Sequence, residues 1–286
     1  MKKTTNNKQA ISVSVIIPTR NSSLTLPLLF KSINKQSVKP LEVIVVDNDS
    51  TDDTAAIAKK NKAIVYKKGP ERSTQKNYGA KKAKGTHLLF LDSDVELAKL
   101  IIAECVNLAR DDFKAVIIPE KIIGDGYWTR AKALERRCHL GDDSIECPWF
   151  YSKKIFIKLK GYNESMYAGE DWDLFNKLKL ANYKFTRSKS KISHHIGRIK
   201  LWKYLKKKRY YGYNLKQYIK LNNSSVLNKV PFARLAYIKK LPLLLKNLHL
   251  AIGILIIKIL EMTSITIGMM QYIIRKDKTA EKNYYG

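Results

Sequence analysis

The chain has 286 residues, of which 45% are hydrophobic, so it can bury a substantial core and its composition excludes an intrinsically disordered protein. Its cysteines, Cys105, Cys138 and Cys147, are odd in number and show no CxxC spacing, which argues against a disulfide framework and favours a reducing compartment. The formal net charge is +29, and the stretch between Asp173 and Glu261 holds 21 Lys and Arg but no acidic residue, so we expect an anionic partner, either nucleic acid or a membrane surface.

The first 120 residues alternate predicted strands with predicted helices. Runs of β-branched and other apolar residues predict strands over 12–18, 41–47, 63–68, 87–92 and 115–119. Apolar side chains at helical spacing predict helices between them, including one over 73–84. Near-continuous apolar strands separated by helices are typical of a parallel sheet covered on both faces, which predicts an α/β fold. Further strands are predicted over 147–151 and 184–193.

Polar and acidic residues follow three of the predicted strands. The strand ends carry Pro18, Thr19 and Asn21, then Asp47, and then Asp92 and Asp94. Open parallel sheets bind ligands outside the carboxyl ends of their strands, so we expect these residues at one site. Any one of the acids alone could simply cap the next helix, but their convergence favours a ligand site. The sequence has no GxGxxG after the first strand and no GxxxxGK[ST], which disfavours a dinucleotide-dependent dehydrogenase and a P-loop protein.

Asp92 and Asp94 are carboxylates one residue apart at the end of a strand that reads as buried. Like charges this close repel each other unless a cation lies between them. Mg²⁺ and Mn²⁺ take one or two carboxylates from a protein and fill their other positions with water and phosphate oxygens. The pair therefore predicts a divalent metal ion, Mn²⁺ or Mg²⁺, that binds the diphosphate of a nucleotide and neutralises its charge as it departs.

Four segments, in this order and at this spacing, resemble the family 2 glycosyltransferases of the GT-A fold: "VSVIIPTRN", "EVIVVDNDSTDDT", "GPERSTQKNYGAKKAKG" and "LLFLDSDV". Further along, "GYNESMYAGEDWDLFNKLKLANYKF" is similar to the acceptor-side segment of that family, and "SHHIGR" to a histidine segment that follows it in many members. The resemblance covers about residues 12–200. It implies a nucleotide-diphospho-sugar transferase with a Rossmann-like, mostly parallel sheet, which moves a sugar from a nucleotide-sugar, usually with inversion at the anomeric carbon.

The resemblance also implies roles for individual residues. The residues implied to bind the donor are Pro18, Thr19, Asn21, Asp47, Arg72, Lys76 and Asp92, with Asp47 at the base and Asp92 at the ribose or the metal. Asp92, Asp94 and His194 would hold the metal, with His195 as an alternative to His194. Asn48 and Asp49 stand where many members have Asp-Gly, so the base is left open and the donor is expected to be a UDP- or GDP-sugar.

The motif "GEDWDL" places Glu170, Asp171 and Asp173 at a predicted helix start after Gly169. An inverting transfer needs a carboxylate or a histidine that removes a proton from the acceptor hydroxyl as this hydroxyl attacks opposite the leaving group. Acids are also common in the first turn of a helix, where the helix dipole favours them, so the motif alone leaves both interpretations open. With the resemblance, Asp171 is the implied general base, and Glu170 lies beside it.

The chain from residue 201 onward combines basic, aromatic and apolar residues. The segment 201–220 mixes Lys and Arg with Tyr and Trp, as at a bilayer interface, and 241–274 is largely apolar. The apolar segment is long enough to cross a hydrocarbon core of about 30 Å, but Lys258 and Glu261 lie near its middle, where charges are costly. Three arrangements stay open: one transmembrane helix, helices that lie in the membrane interface, or an amphipathic hairpin packed on the preceding domain. Each predicts contact of the basic surface with anionic lipids on the cytoplasmic side.

We therefore predict a polar tail over 1–11, a GT-A domain over 12–200, and a basic, apolar helical region over 201–286 at the cytoplasmic face of the cell membrane. The predicted function is metal-dependent, inverting transfer of a sugar from a UDP- or GDP-sugar to a lipid-linked or glycan acceptor, in surface polysaccharide or glycoprotein assembly. One alternative is a basic nucleic-acid-binding protein, although no nucleic-acid motif is recognisable and we expect no nucleic-acid partner. Another is a homologue that binds sugar nucleotides without turnover. A nucleotidyltransferase would usually show a Gly-rich loop after the first strand, which this sequence lacks.

Overall fold

The structure is a computed structural model that describes residues 10–166, 168–221 and 235–275, so most of the predicted tail over 1–11 and parts of the region over 201–286 lie outside the described residues. The strands are β1 (Val13–Thr19), β2 (Glu42–Asp47), β3 (Ile64–Lys67), β4 (His87–Phe90), β5 (Val95–Leu97), β6 (Ala115–Ile117), β7 (Glu120–Ile123), β8 (Pro148–Ser152), β9 (Phe185–Arg187) and β10 (Ile192–His195). The helices are α1 (Leu26–Asn34), α2 (Thr54–Lys60), α3 (Arg72–Lys82), α4 (Ile101–Arg110), α5 (Tyr127–Cys138), α6 (Lys153–Lys158), α7 (Glu170–Leu180), α8 (Leu201–Leu221), α9 (Leu235–Lys239), α10 (Leu241–Leu245) and α11 (Leu248–Arg275).

The central sheet is mostly parallel, as predicted. Its strand order is β3-β2-β1-β4-β8-β6-β9. Strands β3, β2, β1 and β4 run parallel, whereas β8 is antiparallel to both of its neighbours. The register places Thr19 opposite Asp47, so the carboxyl ends of β1 and β2 coincide. Strand β1 lies between β2 and β4, so the chain first adds β2 and β3 on one side of β1 and later adds β4 on its other side. Open α/β sheets bind ligands at such a switch in strand order.

Helices cover both faces of this sheet, and successive side chains along β1 point alternately to the two faces. Val15 and Ile17 face a core completed by α1, α2 and α4, whereas Ile16 faces a second core completed by α3, α6 and α7. Helix α1 follows the predicted apolar spacing, since its buried side chains include Leu26, Leu29, Phe30 and Ile33. The three-layer α/β architecture predicted from the sequence is confirmed.

A smaller sheet, of order β5-β10-β7, lies at the edge of the site described below. The prediction of one continuous strand over 184–193 was wrong, because β9 belongs to the central sheet and β10 to the smaller one. The carboxylate of Glu104 explains the interruption. It accepts hydrogen bonds from the backbone N–H groups of Lys189 (2.9 Å) and Ser190 (3.0 Å), which are then lost to strand pairing.

The C-terminal helices pack on one another, and α11 also packs on α5. Helices α8 and α11 approach closely at two glycines. A Cβ atom on Gly268 would lie 2.0 Å from the Arg209 carbonyl oxygen, and one on Gly212 would lie 2.2 Å from that of Ile265. By length and composition alone, the segment Leu248–Tyr272 of α11 could also cross a membrane.

Candidate active site

Thr19, Asp47 and Ser50 form a hydrogen-bonded corner at the ends of β1 and β2. Asp47 is buried, and its Oδ1 accepts hydrogen bonds from Thr19 Oγ1 (2.9 Å) and Ser50 Oγ (2.5 Å). The Ser50 backbone N–H donates to Asp47 Oδ2 (2.9 Å). The carboxylate of Asp47 therefore shapes the loop that follows β2.

Asn21 joins this loop to the end of β1. Its backbone has a positive φ of 49°, its N–H donates to Ser50 Oγ (2.8 Å), and its Oδ1 accepts from the Thr51 backbone N–H (2.9 Å). Pro18 is buried within β1 opposite Val46 and supports the loop from inside the sheet. Three of the predicted nucleotide-binding residues thus lie in one loop cluster, and the fourth lies beneath it.

Helix α3 brings two cations to the same edge of the sheet. Gln75 Nε2 donates to the backbone carbonyls of Thr19 (3.0 Å) and Val46 (2.6 Å), which fixes the first turn of α3 against the ends of β1 and β2. Arg72 and Lys76 are four residues apart and therefore lie on one face of the helix. The Lys76 side chain is only 8% exposed, so its charge requires acidic partners.

Asp92, Asp94 and His194 form a cluster of potential metal ligands. One ligand atom from each residue lies within 4.8 Å of the other two, and all three side chains are half-buried. His194 reaches the cluster because β10 pairs antiparallel with β5, directly after Asp94, and its Nε2 lies 3.2 Å from Asp94 Oδ1. Carboxylate oxygens suit Mg²⁺ and Mn²⁺, and imidazole nitrogen suits transition metals, so the donor set fits a divalent cation.

The two aspartates lie in a strongly positive environment. Burial alone would raise the pKa of Asp92, but the charges of Lys76, Arg72 and His194 outweigh it and hold the pKa below its usual range. The mutual repulsion expected of paired carboxylates is thus already offset by side chains of the protein. Asp92 is ionised at neutral pH, as a metal ligand must be.

His194 and His195 have different surroundings, which the sequence left undecided. Burial lowers the pKa of His194, but Asp94 and Glu120 outweigh it and raise the pKa to about 10. Glu120 Oε2 lies 3.9 Å from His194 Nδ1. Because strand side chains alternate, His195 faces away, and its Nε2 lies 3.1 Å from Glu96 Oε2.

Glu170 and Asp171 begin α7 directly after Gly169, which has a positive φ of 83°. Arg72 Nη2 lies 3.9 Å from Glu170 Oε1, and Lys76 Nζ lies 3.4 Å from Asp171 Oδ1. The Glu170 side chain is 5% exposed, and burial together with the Asp171 charge raises its pKa. The Asp171 side chain is 43% exposed, so it is the carboxylate of this pair that an incoming molecule can reach.

Sequence reasoning missed Glu120, Arg136 and Lys207. Glu120 directly follows the predicted strand over 115–119, and an acid at the end of a predicted strand, as at Asp47, was a signal that could have found it. Arg136 forms an ion pair with Glu120 from α5. Lys207 comes from α8, where partial burial and the Arg72 charge lower its pKa while Asp92 acts in the opposite direction. No local sequence pattern singles out Arg136 or Lys207, because both lie in basic helices. Each cation reaches the site only through the packing of its helix in the tertiary structure.

The arrangement can bind a phosphorylated ligand and accept a proton beside it. Carboxylates and an imidazole suited to a divalent cation lie next to the cations Arg72 and Lys76, and Asp171 is open at the same edge. Charge-assisted hydrogen bonds from such cations to phosphate oxygens are strong.

Relatives with assigned activities are similar to part of this chain. A GalNAc(5)-diNAcBac-PP-undecaprenol beta-1,3-glucosyltransferase of Campylobacter jejuni is 32% identical over 186 residues, which cover 60% of this chain and 54% of that protein. The poly(ribitol-phosphate) beta-N-acetylglucosaminyltransferase TarP of Staphylococcus aureus is 31% identical over 158 residues, 52% of this chain and 48% of that protein. The chain therefore spans about half the length of these two relatives.

Solved structures share the fold at low sequence identity. The mannosyltransferase PcManGT from Pyrobaculum calidifontis, in complex with GDP-Man and Mn²⁺, superposes with a TM-score of 0.61 at 16% identity, over 94% of this chain and 89% of that one. Residues 1–349 of TarS from S. aureus give a TM-score of 0.54 at 16% identity, over 92% and 91% of the two chains. These likenesses confirm the predicted GT-A fold. Residues 14–172, more than half of the chain, match the sequence model of "Glycosyl transferase family 2", and the chain belongs to this family.

Proposed function

We propose that this chain transfers a sugar from a nucleotide-sugar to a lipid-linked or glycan acceptor, with inversion at the anomeric carbon and in dependence on a divalent cation. The observation that carries the proposal is the convergence of Asp92, Asp94 and His194 beside Arg72 and Lys76, in a member of family 2. The name of the C. jejuni relative specifies an undecaprenol-linked substrate. TarS has been solved with UDP-GlcNAc, and PcManGT with GDP-Man and Mn²⁺, which supports a UDP- or GDP-sugar as donor.

The donor would lie across the carboxyl ends of β1, β2 and β4. Its nucleoside would rest on the loop that Thr19, Asn21 and Asp47 organise. Asp92, Asp94 and His194 would hold Mn²⁺ or Mg²⁺, and the ion would supply charge neutralisation at the departing diphosphate. Arg72 and Lys76 would add fixed positive charge on the side of α3.

The proposed transfer is a single displacement. The acceptor hydroxyl oxygen forms a bond to the anomeric carbon from the side opposite to the diphosphate, and its proton passes to an oxygen of Asp171. The bond between the anomeric carbon and the phosphate oxygen breaks, and its electron pair leaves with the nucleoside diphosphate. Lys76 holds Asp171 in position at 3.4 Å. If the acceptor is itself a phosphate, no proton must be removed, and Asp171 instead orients the nucleophile.

The acceptor class and the location rest on the C-terminal region. Exposed Trp202, Lys203 and Lys206 on α8 are residue types that favour the interface of a membrane with anionic lipids. The cytoplasmic face carries such lipids, and lipid-linked sugar acceptors reside in membranes. We therefore place the reaction at the cytoplasmic face of the cell membrane, in surface polysaccharide or glycoprotein assembly.

A donor screen tests this proposal. The full chain would be incubated with UDP- and GDP-sugars in Mn²⁺, in Mg²⁺ or in EDTA, with and without a bacterial lipid extract, and the readouts are free nucleoside diphosphate and labelled sugar in the lipid fraction. We expect one donor to be consumed with the cation and not in EDTA, and transfer to require the extract. Donor binding without turnover of any donor would contradict the proposal and identify a non-catalytic sugar-nucleotide-binding protein.

A further inference from the structure

Helix α11 has two chemically different faces. The segment Leu248–Tyr272 has 25 residues and is, by length and composition, apolar enough for a membrane span. Its charged residues, Lys258 and Glu261, lie on the face that packs against the rest of the protein. The other face is exposed. The role of α11 therefore depends on which residues hold its charged face and on what covers its exposed face.

Lys258 and Glu261 are held by the GT-A domain rather than by each other alone. Lys258 Nζ lies 3.0 Å from Glu261 Oε2 and also forms an ion pair with Glu135 on α5. Lys132 Nζ, also on α5, lies 3.4 Å from Glu261 Oε1. Tyr204, on α8, donates a hydrogen bond to Glu261. The Glu261 side chain is 7% exposed, so leaving this network would leave a buried charge uncompensated.

Helix α11 also makes hydrogen bonds to the rest of the protein near both of its ends. Near its start, the Tyr127 hydroxyl donates to the His249 carbonyl (2.6 Å). Near its end, Arg209 Nε donates to Gln271 Oε1 (2.8 Å). A crossing helix would have to take α5 and α8 into the hydrocarbon with it. Helix α8 carries the exposed Lys203 and Lys206. Moving these charges into the hydrocarbon is costly, and this cost excludes a crossing of the membrane by α11 together with α5 and α8.

The opposite face of α11 forms an uncharged stripe. Its exposed large apolar side chains lie along one side of the helix and are Leu248, Ile252, Leu255, Ile256, Ile259, Ile267 and Met270. No Lys, Arg, Asp or Glu is exposed between Leu248 and Tyr272 in the part of α11 whose side chains the structure describes. Helix α10 extends the stripe with Leu241 and Leu245.

Basic residues border this stripe. Lys239, Lys240 and Lys246 are exposed beside the apolar residues of α10. The sequence over residues 201–260 contains 13 Lys and Arg and no acid. An apolar stripe flanked by cations complements a bilayer surface with anionic headgroups, and a helix of this kind lies in the interface rather than across it.

We propose that α11 lies in the plane of an anionic lipid bilayer, with its uncharged stripe inserted at the headgroup boundary and its charged face docked on α5 and α8, and that it does not cross the membrane. This inference rests on the proposed function only in assigning a lipid-linked acceptor to the site. It would hold the GT-A domain next to the bilayer, because α5 and α8 both pack on α11, and α8 carries the site residue Lys207.

Vesicle flotation tests the stripe. The full chain would be mixed with vesicles of phosphatidylcholine alone, or with vesicles that also contain the anionic lipid phosphatidylglycerol, which attracts basic segments. We expect binding to the anionic vesicles, and at least a tenfold loss of binding in the double variant Leu255→Glu, Ile259→Glu. The matched control is Ile157→Glu, Leu180→Glu, two exposed apolar residues outside the C-terminal helices, which should bind as the wild type does.

Topology reporters test the crossing. The full chain would be expressed in a bacterium with green fluorescent protein or alkaline phosphatase at either end, and both ends should report the cytoplasm. Reporters on opposite sides would overturn the proposal, as would equal vesicle binding by the stripe variant and the wild type. If the stripe variant instead turned a dimer into a monomer and kept its vesicle binding, the stripe would be a subunit interface and the proposal would fail.

These outcomes are independent of catalysis. Vesicle binding by a chain that turns over no donor would reject the proposed function and keep the inference. Donor turnover and transfer by a chain whose binding to vesicles does not depend on the stripe would keep the proposed function and reject the inference. Circular dichroism of the stripe variant, which we expect to match the wild type because the substituted side chains face solvent, separates lost binding from lost folding.

Discussion

The two carboxylates of α7 differ in exposure although they are neighbours in sequence. Glu170 is buried against Arg72, whereas the Asp171 side chain is 43% exposed beside Lys76. A helix start presents successive side chains in different directions, about 100° apart, so one residue faces the core and the next faces the site. This geometry supports Asp171, rather than Glu170, as the residue that contacts the acceptor.

The substitution Asp171→Asn tests this role. With a hydroxyl acceptor we expect kcat to fall about 100-fold or more, because the amide cannot take the proton, while the KM for the donor stays close to that of the wild type. Steady-state kinetics with the donor found in the screen measure both. Asp111→Asn, an exposed aspartate at the end of α4, is the matched control and should leave both unchanged. A kcat within threefold of the wild type would contradict the base role.

We propose that Glu120 positions His194. It lies on the Nδ1 side of the ring, 3.9 Å away, and is itself held by Arg136. A carboxylate behind a metal-binding histidine orients the ring and increases its basicity, and loss of such a partner costs about 10- to 100-fold in metal affinity. The structure thus supplies a reason for an acid at the start of β7.

We expect Glu120→Gln to weaken Mn²⁺ binding by about tenfold or more, measured by the loss of the free-ion signal in electron paramagnetic resonance. The control is Glu96→Gln, which removes the partner of His195 and should leave the Mn²⁺ affinity unchanged. Circular dichroism distinguishes positioning from folding, since both variants should keep the wild-type spectrum. Equal Mn²⁺ affinity in the wild type and Glu120→Gln would show that Glu120 is merely structural.

At the scale of elements, strand pairing decides which histidine joins the site. The pairing of β10 with β5 puts His194 opposite Val95 and beside Asp94. A shift by one residue would exchange His194 for His195, because side chains alternate along a strand. The turn over 188–191, held by Glu104, sets where β10 begins and therefore which histidine faces the acids.

The pairing of α8 with α11 depends on glycine at the crossing point. A Cβ atom on Gly268 would meet the Arg209 carbonyl oxygen at 2.0 Å and the Tyr213 backbone nitrogen at 2.8 Å, and backbone atoms cannot move aside without separating the helices. We expect Gly268→Val to lower the free energy of unfolding by about 1–3 kcal/mol.

Denaturant unfolding followed by circular dichroism measures this change. Thr266→Val introduces the same side chain on the exposed face of α11 and should stay within about 0.5 kcal/mol of the wild type. An equal effect at both positions would show that helix propensity, and not the approach of the two helices, determines the result.

For the molecule as a whole, a buried ionic network joins the C-terminal helices to the domain that carries the site. Burial raises the pKa of Glu135, but Lys132 and Lys258 outweigh it and lower the pKa from 4.5 to about 2. A depressed carboxyl pKa stabilises the folded state at pH values above 4.5, and this contribution is lost as the pH falls toward 2. The attachment of α11 to α5 is therefore sensitive to acid.

We expect Glu135→Gln to unfold at a lower temperature than the wild type at pH 7, since it removes a charge-assisted contact of about 1.5–3 kcal/mol. The difference in unfolding temperature between Glu135→Gln and the wild type should narrow between about pH 5 and pH 2.5, because the wild type progressively loses the same stabilising contribution there. Calorimetric scans across this range measure it. A difference that stays constant down to pH 2.5 would show that the ionised Glu135 contributes nothing to stability.

The amino-acid sequence alone determined the parallel sheet, its helical layers and the acids at its edge. Apolar periodicity and the residues that end a strand are local properties, so Asp47, Asp92 and Asp94 could be placed without knowing the fold. Only the tertiary structure decided between His194 and His195, brought Glu120 and Lys207 to the site, and gave Lys258 and Glu261 their partners. Those contacts join residues about 100 positions apart, and their geometry follows from strand register and helix packing, which no local pattern encodes.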